Sequence, residues 1–351
     1  MESKKVTVLD NVVIIRALLT LLLILYHSFA IYSGAWQSPF DNTYIPFYWW
    51  IDKFAYSFLL EGFVLLSGYV FAFSYHKIAH NKFSFPNLVK KKIHRLLLPS
   101  IIFSTFYYFI FLYDNQTSTF IKEIYGIING CGHLWFLPML FWCFIIIIPF
   151  IRINIGHKWK ILGLFIISIV GFGPLSNFIP FRLSLTGYYF FFFYLGFLLW
   201  QKKSMLVKYS TPKNIFILLI LFTGLFITLT IFRSQTITYE NDLLSIKVIK
   251  VILKRVSKII IACDGILLVF LSTNYFLSKK DLPSIITKIS NYSLGIYIYH
   301  QFLIKLFYYK TILPNITGAY FSPFLIFVTA LVLSYILTKY TYKTFLGKYI
   351  L

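Results

Sequence analysis

Residues 12–31, VVIIRALLTLLLILYHSFAI, run for twenty positions with one formal charge, and this stretch excludes most of what a chain can fold into. A helix of that length spans the ~30 Å hydrocarbon core of a bilayer, where every backbone amide must find its partner within the segment. Further apolar runs of spanning length begin near Phe54, Leu96, His133, Ile161, Leu183, Ile215, Ile259, Ser290 and Phe324. Together with the first, which starts near Asn11, they predict an all-α, polytopic membrane protein of about ten transmembrane helices. The fifth run is the shortest, because Gly-Phe-Gly-Pro at 171–174 breaks it. Composition agrees, since 13% charged residues against 59% hydrophobic ones cannot coat a water-facing surface. The first run is longer than a signal-peptide core and no A-x-A site follows it, so it is expected to stay as a span. With no internal repeat, Gly/Ser linker or soluble appendage, residues 1–351 read as a single integral-membrane domain.

The chain carries 33 Lys+Arg against 11 Asp+Glu, a formal charge of +22. In a membrane protein this excess anchors cytoplasmic loops and attracts anionic lipid, and it does not point to nucleic acid. A cytoplasmic N-terminus puts roughly two thirds of the Lys/Arg on the inner side, as the positive-inside rule asks. Residues 233–258 fit that rule badly. There Lys247, Lys250, Lys254 and Lys258 recur at helical spacing as one basic stripe. Two readings stand: a surface helix whose stripe faces water or headgroups and runs into the eighth span, or a seat for an anionic acceptor such as a phosphate-bearing glycan or its lipid carrier. Cys131, Cys143 and Cys263 lack metal-type spacing and read as small core residues, so neither a disulfide framework nor a metal site is expected.

Charge inside the bilayer costs about 2.5–3.5 kcal/mol on insertion scales, so each ionisable group there needs a reason. Arg16, His27, Glu61, Asp264 and His300 fall in this class. Arg16 and His27, eleven residues apart, lie only ~20° apart around a helix and ~16 Å apart along it. Taken singly, Arg16 reads as a side chain snorkelling to headgroups and His27 as a core histidine hydrogen-bonded to a neighbouring helix; taken together, a cation near the cytoplasmic edge and a deep imidazole on one line suit a ligand with phosphates at one end and a reactive group at the end of a long arm. Acyl-coenzyme A is such a ligand. Lys90, Lys91, Lys92, His94 and Arg95 crowd the start of the third span, where they serve as positive-inside anchors or, through Lys92 and Arg95, clamp phosphates.

Five segments, in order, resemble the integral-membrane acyltransferase-3 family, which includes bacterial polysaccharide O-acyltransferases. Arg16 and His27 match its Arg-x10-His motif, and EGFVLLSGY at 61–69 is similar to its acid-then-FFxLSGF segment. KKKIHRLLLP resembles its R-x-x-R loop, with Lys92 and Arg95 in those positions, while GHLWFLPMLF at 132–141 and ISNYSLGIYIYHQFLI at 289–304 resemble its LWFL and S-x-G-IYLxH stretches. Two positions depart from the pattern. Lys92 replaces an arginine and so gives up bidentate phosphate binding, and Glu61 stands where Asp is usual, which keeps the charge and moves it by one methylene.

The resemblance implies a multi-pass protein of the bacterial cytoplasmic membrane that moves an acyl group, most often acetyl, from cytoplasmic acyl-CoA to a hydroxyl of a cell-surface or lipid-linked glycan. In that scheme Arg16, Lys92 and Arg95 hold the coenzyme and His27 is the general base, or else forms an acyl-histidine. Glu61 either steadies the imidazolium or pairs with Arg16 or a lysine. His300 reads as an interhelical hydrogen bond or a second polar group of the site. Ser67-Gly68 reads as a helix-packing contact rather than a nucleophile. The aromatic segment at 36–50 reads as an interface belt, with stacking against a glycan as its other use. The alternative function is a glycan or lipid-linked sugar transporter without acyl-transfer chemistry, which needs no base at position 27.

Overall fold

The computed structural model describes residues 10–40, 44–77, 84–113, 120–172, 178–236, 243–344 and 347. The segment before Asp10 and the second half of the Gly-Phe-Gly-Pro break lie outside them. The described chain is helical throughout: α1 Asp10–Phe29, α2 Pro46–Tyr56, α3 Leu59–Lys77, α4 Phe85–Lys92, α5 Leu98–Phe111, α6 Phe120–Asn129, α7 Phe136–Arg152, α8 His157–Val170, α9 Leu183–Gln201, α10 Lys203–Tyr209, α11 Pro212–Gln235, α12 Leu244–Lys279, α13 Ser284–Asn291, α14 Ser293–Lys310 and α15 Leu313–Thr341. Eight helical segments among the described residues are long and apolar enough to cross a membrane. Two of the ten expected runs fall short for separate reasons. The fifth run is α8, 14 residues or ~21 Å long. The ninth is α14, 18 residues long, whose apolar content is diluted by His300, Gln301, Lys305 and four tyrosines.

The helices gather into two compact units, residues 1–66 with 201–338, and residues 67–200 with 339–351. In the first, α1 packs against α2, α12, α13 and α14, and α11 lies along α12. Its core joins Ile24, Phe29, Tyr32 and Tyr48 to Ile296, Ile304, Tyr308 and Ile326. α15 breaks within this core: Gly318 adopts φ 65°, and Pro323 has no N–H to offer the Ala319 carbonyl. The Tyr32 hydroxyl donates to that carbonyl instead, and Tyr48 donates to the next one, Tyr320 O, at 2.8 Å. The broken helix is thus splinted by two tyrosines from the chain after α1.

The basic stripe lies on α12, a single helix of 36 residues that continues into the eighth span. Lys247, Lys250 and Lys254 are half-buried and Lys258 is buried, while Val248, Ile249, Val251, Ile252 and Leu253 are exposed. The lysines therefore face protein and the aliphatic side faces outward, the reverse of a surface helix with a solvated basic stripe.

In the second unit, α4 and α5 are joined by a π turn at Ile93–Leu97, which carries Arg95. The turn widens where Pro99 withholds the N–H that an α-helix would give to the Arg95 carbonyl. Gly68 of α3 lies against the backbone of Phe193 in α9 so closely that a Cβ would collide with the Phe193 carbonyl oxygen. This is the packing contact expected of Ser67-Gly68. Before α7, Gly130 and Gly132 take φ values of 86° and 56° and turn the chain under Tyr107 and Trp135.

Candidate active site

α1 is unbroken from Asp10 to Phe29, so Arg16 and His27 stand on one helix at the spacing the sequence expects. Arg16 is half-buried and His27 is buried, 8% exposed. Tyr26 meets the His27 ring edge-on at 4.8 Å, and Trp36 lies 5.4 Å from it. Aromatic walls of this kind keep water and its dielectric screening from the imidazole.

The His27 partner is supplied from the other end of the chain. Nε2 of His300, on α14, lies 3.1 Å from Nδ1 of His27. His300 is fully buried, and its Nδ1 lies 2.6 Å from the Tyr297 carbonyl and 3.1 Å from that of Ile296. A carbonyl only accepts, so Nδ1 of His300 carries the proton and its Nε2 holds the lone pair. Nδ1 of His27 then faces two acceptors, His300 Nε2 and the Leu23 carbonyl at 3.1 Å. It must be the protonated nitrogen, which leaves the lone pair of the neutral ring on Nε2. Two histidines on different helices thereby set the tautomer a general base needs.

Glu61 is buried, 1% exposed, and its carboxylate lies 3.6 Å from the Lys258 ammonium. Of the readings open for Glu61, the geometry brings it onto a lysine. That ammonium also donates to the carbonyls of Tyr56 and Ser57, the latter at 3.1 Å, and sits 4.2 Å over the Tyr56 ring. The last lysine of the stripe is therefore an internal cation tying α12 to the α2–α3 connection. Asp264, also on α12, has a buried Oδ2 with no hydrogen-bond partner among the described residues.

Arg16, His27 and Glu61 belong to the first unit, Lys92 and Arg95 to the second. Lys92 is half-buried with its ammonium 3.4 Å above the Phe144 ring, whereas Arg95 is exposed. Arg95 sits within the π turn that follows Lys92, so the two do not keep α-helical spacing.

A groove of about 580 Å³ in the first unit is lined mostly by apolar side chains, among them Leu18, Leu22, Phe54 and Phe222. Its lining offers no titratable group for proton transfer. Sequence reasoning marked His300 and His27 separately and had no signal to join them, because 273 residues separate the pair.

Comparison with known proteins adds one finding: the model of the acyltransferase-3 family, an acyltransferase domain, matches residues 9–342. No curated protein and no solved structure matches the chain. The match runs from the first turn of α1 to the end of α15, and the protein, with eight helical segments long and apolar enough to cross a membrane and a buried histidine on α1, belongs to the acyltransferase-3 family.

Proposed function

We propose that the protein transfers a short acyl group, acetyl by the family's habit, from acyl-CoA to a hydroxyl of a cell-surface or lipid-linked glycan, with its N-terminus in the cytoplasm and its spans in the bacterial cytoplasmic membrane. The observation that carries this reading is the His27–His300 dyad, in which the neutral His27 ring holds its proton on Nδ1 and its lone pair on Nε2. Nε2 of His27 takes the proton of the acceptor hydroxyl as its oxygen attacks the thioester carbonyl. The carbon–sulfur bond breaks, and the coenzyme leaves as a thiol with the proton returned by His27. While the imidazolium exists, Nδ1–H donates to His300 and to Leu23 O, so its charge is spread by groups already in place.

Arg16 supports the same reading from the far end of the helix, about 16 Å away, comparable to an extended pantetheine arm. Its guanidinium would take coenzyme phosphates. Lys92 and Arg95 are assigned to coenzyme binding by their motif.

The test is acyl transfer and acetyl-CoA binding by purified protein. His27→Ala should lower kcat by about 10²–10⁴-fold while the protein still inserts and binds acetyl-CoA. Arg16→Ala and the Lys92→Ala/Arg95→Ala pair should raise the KM for acetyl-CoA with a smaller effect on kcat. Full activity in His27→Ala, or no binding of acetyl-CoA by the native protein, would remove the proposal.

A further inference from the structure

The first unit holds a second cavity, of about 250 Å³, among the C-terminal end of α1, α2, the last turns of α11, and α12. Its walls include the aromatic rings of Tyr26, Trp49 and Tyr56 and the ionic side chains of Asp52, Arg233 and Lys258. Tyr26 connects it to the dyad, stacking on Tyr56 at 4.6 Å while its edge meets His27 at 4.8 Å.

Two polar atoms in this cavity are left open. Asp52 is only 1% exposed; its Oδ2 accepts from the Lys53 ammonium at 3.2 Å and the Ser33 hydroxyl lies beside the carboxylate, while its Oδ1 is buried with no partner at full hydrogen-bond geometry among the described residues. Nε of Arg233, across the cavity on α11, is likewise buried without one. Lys258 is engaged by Glu61 and two carbonyls, so it shapes the wall and makes no comparable demand on a ligand. Buried polar groups are satisfied in native proteins as a rule, and an open acceptor and an open donor in one cavity describe their missing partner. It brings a hydroxyl for Asp52 and an acceptor oxygen for Arg233, presents an apolar face to aromatic rings, and is smaller than a drug-sized ligand.

We infer that this cavity seats one sugar residue of the acceptor, with Asp52 Oδ1 accepting from a ring hydroxyl and Arg233 Nε donating to a ring or substituent oxygen. The inference rests on the acyl-transfer reading above and gives its acceptor a place. The position suits that order, since the cavity opens at the His27 end of α1 and Arg16 lies toward the other end.

The test uses full-length protein in detergent, with saturation-transfer NMR against the methyl glycosides of glucose, galactose, mannose, N-acetylglucosamine and glucuronic acid, and acetyl-CoA binding measured in parallel. At least one glycoside should bind in the millimolar range. Asp52→Asn should weaken it by about tenfold or more and leave acetyl-CoA affinity within about twofold. Ser234→Trp should do the same; Ser234 is exposed and lines the cavity, so the indole closes it without entering the buried network and serves if Asp52→Asn fails to fold. Binding of no glycoside by the native protein, or binding undiminished in the variants, overturns the inference. So does loss of acetyl-CoA binding in Ser234→Trp with glycoside binding kept, which would make the cavity the coenzyme's. A native protein that binds a glycoside through Asp52 yet never releases thiol from acetyl-CoA would leave the sugar seat standing and sink acyl transfer instead.

Discussion

If His300 sets the tautomer of His27, removing its Nε2 should slow chemistry without weakening substrate binding. His300→Leu deletes the lone pair that lies 3.1 Å from His27 Nδ1 and leaves the Leu23 carbonyl as the remaining acceptor there. In the transition state that hydrogen bond has a charged donor, and bonds of this kind contribute about 1.5–3 kcal/mol. At 1.36 kcal/mol per tenfold, kcat should fall by about 10- to 150-fold, less than the full loss expected for His27→Ala. KM for acetyl-CoA should stay near the native value, because His300 makes no contact assigned to the coenzyme. His300→Gln places an amide oxygen near the lost Nε2 and should recover much of the rate, which a purely packing role would not allow. The assay is steady-state acyl transfer with purified protein, with gel filtration and thermal unfolding as controls on the fold. A native kcat in His300→Leu, or a loss confined to KM, would refute the dyad argument.

Lys258→Met removes the cation that lies 3.6 Å from the buried Glu61 carboxylate and should lower stability by about 3–5 kcal/mol in thermal or denaturant unfolding, whereas adding Glu61→Gln to it should restore part of that loss. Gly68→Ala forces a methyl into the Phe193 carbonyl and should destabilise the protein far more than Gly224→Ala on α11, where a Cβ meets open space; detergent melting curves of the two decide it. Burial pushes the Cys131 thiol up to about 11, against a smaller opposing pull from Arg182. Since only the thiolate reacts, alkylation of Cys131 by a water-soluble maleimide should be slow at pH 8 and accelerate as the pH is raised toward that value, as mass spectrometry of the labelled peptide would report.

The helical, membrane-spanning character of the chain was legible because lipid imposes one solution on a long apolar run, and α1 follows from its sequence almost residue by residue. The spacing of Arg16 and His27 carried over for the same reason. The basic stripe shows the limit. Its period belongs to a helix, but which side it faces depends on partners elsewhere in the chain, and Lys258 turns inward because Glu61 and the carbonyls of Tyr56 and Ser57 wait there. Asp52 escapes notice because the second apolar run begins near Phe54, whereas helical structure starts at Pro46, a proline in the first turn. Reading back to that proline would have exposed Asp52 as an acid within the apolar segment Pro46–Lys77. The π turn beside Arg95 had one signal, Pro99, four residues downstream of a carbonyl that then needed another arrangement.

The length of α12 has a consequence of its own. Its 36 residues make a rod of about 54 Å, and even a steep tilt of ~40° leaves it reaching about 41 Å along the membrane normal. The hydrocarbon takes up only ~30 Å of that, so the rod must emerge into the headgroups or beyond while still helical. Where it emerges is then decided by the host lipids as much as by the polypeptide: a membrane a few ångströms thinner shifts the waterline by two or three residues.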